Sequence, residues 1–239
     1  MNWYDLPYID KPEIIDNPAY SSDDLEASML DVAKTNAYFG GTHAIRNQVA
    51  RVCESVPRDV TLRLLDIGSG TGDIPRAIAA WATAQGRSIE IVAVDNLVSM
   101  LLTASRKSLH VPSISFLSAD AGRLPFRNEA FHVTTCALAF HHFGHQLGAT
   151  VLREMDRVSS VGFVVSDLHR DRFTLAAVAA GMLLIRAQPI TRHDSRASVF
   201  RSFTRRDMAK IVAASGVRGI RVHSHWHIRT LLTKRKHIA

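Results

Sequence analysis

Two periodicities divide this chain. Up to about residue 56 apolar side chains recur three or four positions apart, the spacing of one helix face; from residue 63 short unbroken apolar runs alternate with helical stretches. Residues 23–39 form the first predicted helix, opened by SSDDLE with capping and first-turn acids and carrying Leu25, Met29, Val32, Ala33 and Asn36 at helical spacing. Gly40-Gly41 stops it. A second helix over about 42–56 presents Ile45, Val49, Val52 and Cys53 on one stripe before Pro57. Then strand and helix alternate: RLLDIG, a helix over 75–85, IEIVAVD, a helix over 98–109, ISFLSAD, FHVTTCALAF, a helix around 147–157, and GFVVSDL. Apolar runs of this kind suit parallel strands covered on both faces. After Asp167 the pattern breaks. Residues 172–202 read as an insertion, followed by a helix over 204–215 and two strands, VRGIRVHSH and WHIRTLLTK, whose closeness predicts an antiparallel ending.

The length of 239 residues, 46% hydrophobic and 21% charged, fits one α/β domain over 1–239, with residues 1–57 as a helical cap and 172–202 as a lid. Residues 1–24 carry acids and prolines where an export leader needs an apolar run, so a cytoplasmic protein is expected. Cys53 and Cys136 form no CxxC pair and are expected as reduced thiols. The net charge of +7 could suggest nucleic acid, but its placement suggests something simpler. Residues 1–31 hold eight acids and one base, Lys11, whereas residues 186–239 hold thirteen Lys/Arg against Asp194 and Asp207. An acidic head lying across a basic tail accounts for both, and nucleic acid is not the expected partner.

The sharpest chemical signal is Leu64-Leu65-Asp66-Ile67-Gly68-Ser69-Gly70-Thr71-Gly72-Asp73, a strand entering a glycine-rich turn and a helix with Pro75 in its first turn. Glycines there let the backbone turn and approach a ligand with no Cβ in the way. The spacing is GxGxG, and Asp73 stands where a dinucleotide fingerprint needs its third glycine, which disfavours a nicotinamide oxidoreductase. Asp95 ends the second strand, where a carboxylate can accept from both ribose hydroxyls; the alternative is a turn acid. Asp120 ends the third, where it can meet an exocyclic amine, with the Ala121 amide beside it for a ring nitrogen.

From residue 63 onward the sequence resembles the class I S-adenosylmethionine-dependent methyltransferases, with LDIGSGTGD, VAVDN and SADAGRLPF as the first three motifs in order. The resemblance implies a Rossmann-like α/β fold: a mostly parallel seven-stranded sheet with a reversed last strand, helices on both faces and a helical lid. It implies S-adenosyl-L-methionine as cofactor, held by Asp66, Gly68, Ser69, Gly70, Gly72, Asp95, Asn96, Asp120 and Ala121. EIIDNPAYSSDDLEASMLDVAKTNAYFGG, LAFHHF, VSDLHR and ITRHDSRASVFRSFT further resemble small methyltransferases of aromatic polyketide or quinone-type metabolites, with Ser195 departing from a glycine expected after RHD. The expected reaction is methyl transfer to an oxygen or carbon of a small aromatic or lipophilic acceptor.

His141-His142-Phe143 follows the fourth strand at the sheet's carboxyl edge, where open α/β folds bind ligands. His142 and, in the lid, His193 are the candidate catalytic bases; strand capping and a solvated loop are the simpler readings. No metal is expected, because adjacent histidines cannot both face one ion without unusual backbone geometry. The apolar run 173–185, too short to span a bilayer, reads as a buried helix, a pocket wall or a surface resting on a membrane. Trp3, Tyr4, Tyr8 and Tyr20 could close the pocket or anchor the end. The rival functions are a nucleic-acid methyltransferase, opposed by LAFHHF where base amino-group methylation uses Asn/Asp-Pro-Pro-aromatic, and a non-catalytic cofactor-binding protein.

Overall fold

A computed structural model describes residue 4, residues 6–16 and residues 22–236. The predicted alternation is present: β1 (Leu62–Ile67), α3 (Asp73–Ala84), β2 (Ile89–Asp95), α4 (Val98–Lys107), β3 (Ile114–Ser118), β4 (Phe131–Ala137), α5 (Gly144–Val158) and β5 (Ser159–Leu168), preceded by α1 (Ser22–Tyr38) and α2 (Gly41–Val52). The strands form one seven-stranded sheet in the order β3-β2-β1-β4-β5-β7-β6. Neighbours from β3 to β5 are parallel, whereas β7 (Arg229–Arg235) runs antiparallel to both β5 and β6 (Arg221–His225). The reversed last strand follows from the short turn joining β6 to β7, since adjacent strands joined so closely can only pair antiparallel.

The apolar runs are strands because both faces of the sheet are covered. Leu62, Leu64, Ile91, Val133 and Val164 pack with α2 and α3 residues such as Val49 and Ile78, and Leu65, Ile67, Phe163 and Val165 pack with Leu152 and Met155 of α5 on the other face. Several sequence boundaries shift, three of them with a clear cause. The second helix ends at Val52 and passes into a 3₁₀ turn, Cys53–Ser55. β4 stops at Ala137 because Leu138 takes a positive φ of 52°, which no strand accommodates. The insertion folds as two helices, α6 (Arg172–Leu184) and α7 (Pro189–Arg201), the first capped by Asp171, whose carboxylate accepts the Thr174 amide at 2.6 Å, the second opened by a proline. α8 (Arg205–Ser215) carries a Thr204/Asp207 capping box and stops at Gly216.

The chain reverses between β1 and β4, which lie side by side although β2 and β3 separate them in sequence. At such a switch point the loops leaving the two strands part and open a crevice at the carboxyl edge. Met29 and Val32 of α1, Val178 and Met182 of α6, and Asp194 and Ser198 of α7 face that crevice. The acidic head does meet the basic tail: Arg201 pairs with Asp16 at 2.9 Å and Asp10 at 3.4 Å, and Asp194 accepts the amides of Ile14 and Ile15. Both cysteines are buried free thiols. No helix among the described residues is long and apolar enough to cross a membrane.

Candidate active site

Beyond β1 the backbone turns through Gly68, Gly70 and Gly72 at φ values of 67°, 51° and 76°, the left-handed region that glycine enters without penalty. At Gly68 a Cβ would stand 2.4 Å from that of Ala139, so the loop from β1 and the loop from β4 approach as closely as they do only because no side chain intervenes. The Asp95 carboxylate accepts the Gly70 amide at 2.9 Å and the Leu97 amide at 3.0 Å, which fixes it at the rim of the glycine turn. Asp120 closes a tight turn by accepting the Gly122 amide at 2.8 Å. Gly68, Gly70, Asp95, Asn96, Asp120 and Ala121 all line one cavity of about 660 Å³.

Asp66, Ser69 and Gly72 stand behind this lining. Gly72 caps α3, the Ser69 hydroxyl donates to the Asp66 carbonyl at 2.9 Å, and the Thr135 hydroxyl donates to the Asp66 carboxylate at 2.6 Å. Burial, only partly offset by the Thr135 and Ser69 hydrogen bonds, pushes Asp66 from its ordinary 3.8 up to about 7. A raised folded-state pKa means that the folded chain binds the extra proton, so the stability linked to Asp66 is full below its ordinary value and is lost as pH rises through about 7. Asp66→Asn should therefore flatten this part of the stability profile. Denaturant melts at about pH 5 and pH 8 should show a larger fall in wild type than in the variant, and equal falls would refute the assignment.

At the other end of the cavity, Phe140–Phe143 forms a 3₁₀ turn that brings the rings of His141 and His142 together, centroids 4.3 Å apart and planes tilted by 34°. His141 is buried. Its Nδ1 donates to Asp167 at 2.8 Å and its Nε2 lies 3.2 Å from Glu13 Oε1. Burial opposes charge on this ring, but Asp167 and Glu13 outweigh it and raise His141 to about 10, so it is an imidazolium bracketed by carboxylates. The two acids respond in kind: burial alone would raise both, but Asp167, held by His141, and Glu13, held by His141 and His142, stay below the carboxylate range. His142 is half-buried at the cavity wall, with Nε2 3.8 Å from Glu13 Oε1 and Nδ1 3.4 Å from Asp16 Oδ1. His193 is not among the lining residues; it stands on the outer side of α7, its Nδ1 2.9 Å from Asp194.

Glu13 and Asp16 lie in the head segment that carries the narrower resemblance, but nothing in its sequence marks either as a site residue. Arg229 was missed as well. It opens β7, fully buried, and is the only Lys or Arg among the described residues lining the cavity; Nη2 donates to Asn36 at 2.9 Å while Nε has no partner. Gly41 makes room for it, since a Cβ there would lie 2.3 Å from Arg229 Nη2. The apolar run 173–185 is not buried throughout. Val178 and Met182 wall the cavity, whereas Phe173, Leu183 and Leu184 face outward and are more than half exposed. Tyr8 anchors its segment by stacking on Phe203 and does not reach the cavity, and Trp3 and Tyr20 lie outside the described residues.

Known proteins resemble parts of this sequence and its fold. Residues 64–162 match the family model of a methyltransferase domain. The chain is 33% identical over 121 residues to a ubiquinone/menaquinone biosynthesis C-methyltransferase of Coxiella burnetii, covering 49% of this chain and 46% of that one. It is 28% identical over 182 residues to a demethylmenaquinone methyltransferase of Renibacterium salmoninarum, covering 75% and 70%. The chain thus spans about half the length of the first curated relatives it matches. A solved structure of a SAM-dependent methyltransferase from Aquifex aeolicus superposes with a TM-score of 0.59 at 14% identity, over 90% of this chain and 97% of that one. Residues 64–162 accordingly match a methyltransferase domain, and the sheet that contains them has the fold of a solved S-adenosylmethionine-dependent methyltransferase.

Proposed function

We propose that the protein transfers a methyl group from S-adenosylmethionine to an oxygen or electron-rich carbon of a small aromatic or lipophilic acceptor. The observation that carries this reading is the single cavity running from the Gly68 turn and Asp95 to the Glu13–His141–His142 cluster, which gives a nucleoside end and an acceptor end to one continuous space. The relatives that methylate quinone precursors support an acceptor of this class.

The residues fit the cofactor. Asp95 retains lone pairs for ribose hydroxyls beyond its two amide contacts, and the Ala121 amide and Asp120 stand at the end of β3 for the adenine. Arg229 offers a buried, incompletely paired guanidinium to the cofactor's carboxylate. The bound sulfonium supplies the activated methyl group, so the protein's task is to hold the acceptor in line and exclude water. Met29, Val32, Val178 and Met182 supply the dry wall. His142 supplies the contact to the acceptor's reacting oxygen, and His193, outside the cavity, does not.

Asp95→Ala should weaken S-adenosylmethionine binding by about 1.5–3 kcal/mol through loss of charged hydrogen bonds. Arg229→Met should have an effect of similar size on S-adenosylmethionine and almost none on adenosine, which lacks the carboxylate. Calorimetry on both ligands tests the pair. Equal loss on adenosine would remove Arg229 from the carboxylate site.

A further inference from the structure

Both histidines of the cluster present the same nitrogen to the same carboxylate oxygen. His141 Nε2 lies 3.2 Å and His142 Nε2 3.8 Å from Glu13 Oε1, and one donor atom from each of the three residues falls within 4.8 Å of the others. Two adjacent imidazoles and a carboxylate meeting at a cavity wall are more than an ion pair requires, because Asp167 already holds the far side of His141.

We propose that His141 Nε2, His142 Nε2 and the Glu13 carboxylate form a binding site for a divalent first-row transition ion of the zinc type, at the acceptor end of the cavity. Ligands about 2.0–2.1 Å from a tetrahedral ion lie roughly 3.4 Å from one another, and the two observed separations from Glu13 bracket that value. Metal-binding histidines commonly have their other ring nitrogen held by a carboxylate, which fixes the tautomer. Here both do: Nδ1 of His141 faces Asp167 at 2.8 Å, and Nδ1 of His142 faces Asp16 at 3.4 Å. Ser198 donates to Glu13 at 2.7 Å, and Arg201 donates to Asp16 at 2.9 Å and lies 3.3 Å from the same Nδ1 of His142. Imidazole nitrogens favour zinc, cobalt or iron over magnesium or calcium, and three protein ligands leave a position open to the cavity. The ion would displace the proton that His141 Nε2 holds toward Glu13, so binding releases that proton to solvent and weakens as pH falls.

The fold shows why spacing alone missed this. Although His141 and His142 are adjacent, their ring centroids lie 4.3 Å apart, and the third ligand comes from the N-terminal segment, 128 residues away. The use made of the ion rests on the proposed function. With the site filled, the ion held by His142 would make the contact to the acceptor in place of the ring itself: a hydroxyl at the open position would lose its proton to solvent, and its oxygen would form the bond to the methyl carbon as the carbon–sulfur pair passes to sulfur. Binding of the ion itself does not depend on that reading.

The test is therefore made on the full chain without donor or acceptor. After stripping with a chelator and removing it, Zn²⁺ is titrated against a chromophoric competitor, and Co²⁺ is titrated while its visible spectrum is followed. The expected result is one equivalent of Zn²⁺ bound with roughly micromolar affinity or better, and an intense cobalt band of low coordination number. Glu13→Gln and His142→Ala should each weaken the ion by roughly 10²-fold while far-UV circular dichroism and S-adenosylmethionine affinity stay unchanged. Should Glu13→Gln fail to fold, His142→Ala, on a partly exposed side chain, decides alone. Less than about a tenth of an equivalent bound at 10 µM free Zn²⁺, or the same affinity in the folded variants as in wild type, overturns the proposal.

Discussion

Replacing Gly68 with alanine should destroy the cofactor site. The left-handed φ of 67° costs an alanine roughly 1–2 kcal/mol, and its Cβ would lie 2.4 Å from that of Ala139. Ala139 has no longer side chain to swing aside, so the β1 and β4 loops must part, and with them Gly70 and Asp95 at one end of the cavity and Leu138 at the start of the histidine turn. We expect S-adenosylmethionine affinity to fall by about 100-fold or more, with a lowered melting temperature. Gly86→Ala is the control. Its φ of 63° carries the same backbone cost, but nothing lies within 4 Å of the added Cβ, so it should cost about 1 kcal/mol of stability and leave binding unchanged. If Gly68→Ala binds the donor like wild type, the two loops do not form one site.

His142→Ala should separate binding from turnover. The residue lies at the acceptor end of the cavity, away from Asp95 and Asp120, so donor affinity should stay within about twofold of wild type while turnover falls by roughly 10²-fold or more, the size of losing one contact to a developing oxyanion. His193→Ala should change turnover by less than about twofold, because that ring faces away from the cavity. A His142 variant as active as wild type would remove the cluster from the reaction. An inactive His193 variant with normal donor affinity would place the acceptor on the wrong side of α7.

What the sequence revealed and what it hid divide along physical lines. IEIVAVD lies wholly in β2 and Asp95 at its end, because a strand buried on both faces has an unbroken apolar signature and its polar terminus marks the sheet edge. The glycine turn was legible for a similar reason, since three positive φ values in five residues leave few alternatives to glycine. The cluster around His141 was not. It joins Glu13, Asp16, Asp167 and Arg201, residues that only the tertiary fold brings together, and none has a local pattern to announce it. His193 is the converse case. RHD looks like a donor and base cluster in sequence, but one turn of α7 puts Asp194 and Ser198 inward and leaves His193 partly in solvent. The exposed leucines of α6 escaped notice because an apolar run reads as buried until its neighbours are known.

The central claim is that the methyl acceptor is a small molecule held in this cavity. The most direct test offers the protein isotope-labelled S-adenosylmethionine together with a panel of phenols and hydroquinones and total cellular RNA in one reaction, and reads both fractions by mass spectrometry. The basic surface, partly neutralised by the acidic head, should give RNA contacts that salt removes. The account predicts label on a small acceptor, lost in His142→Ala, and none on RNA. Label on RNA that persists at high salt and survives His142→Ala would contradict it.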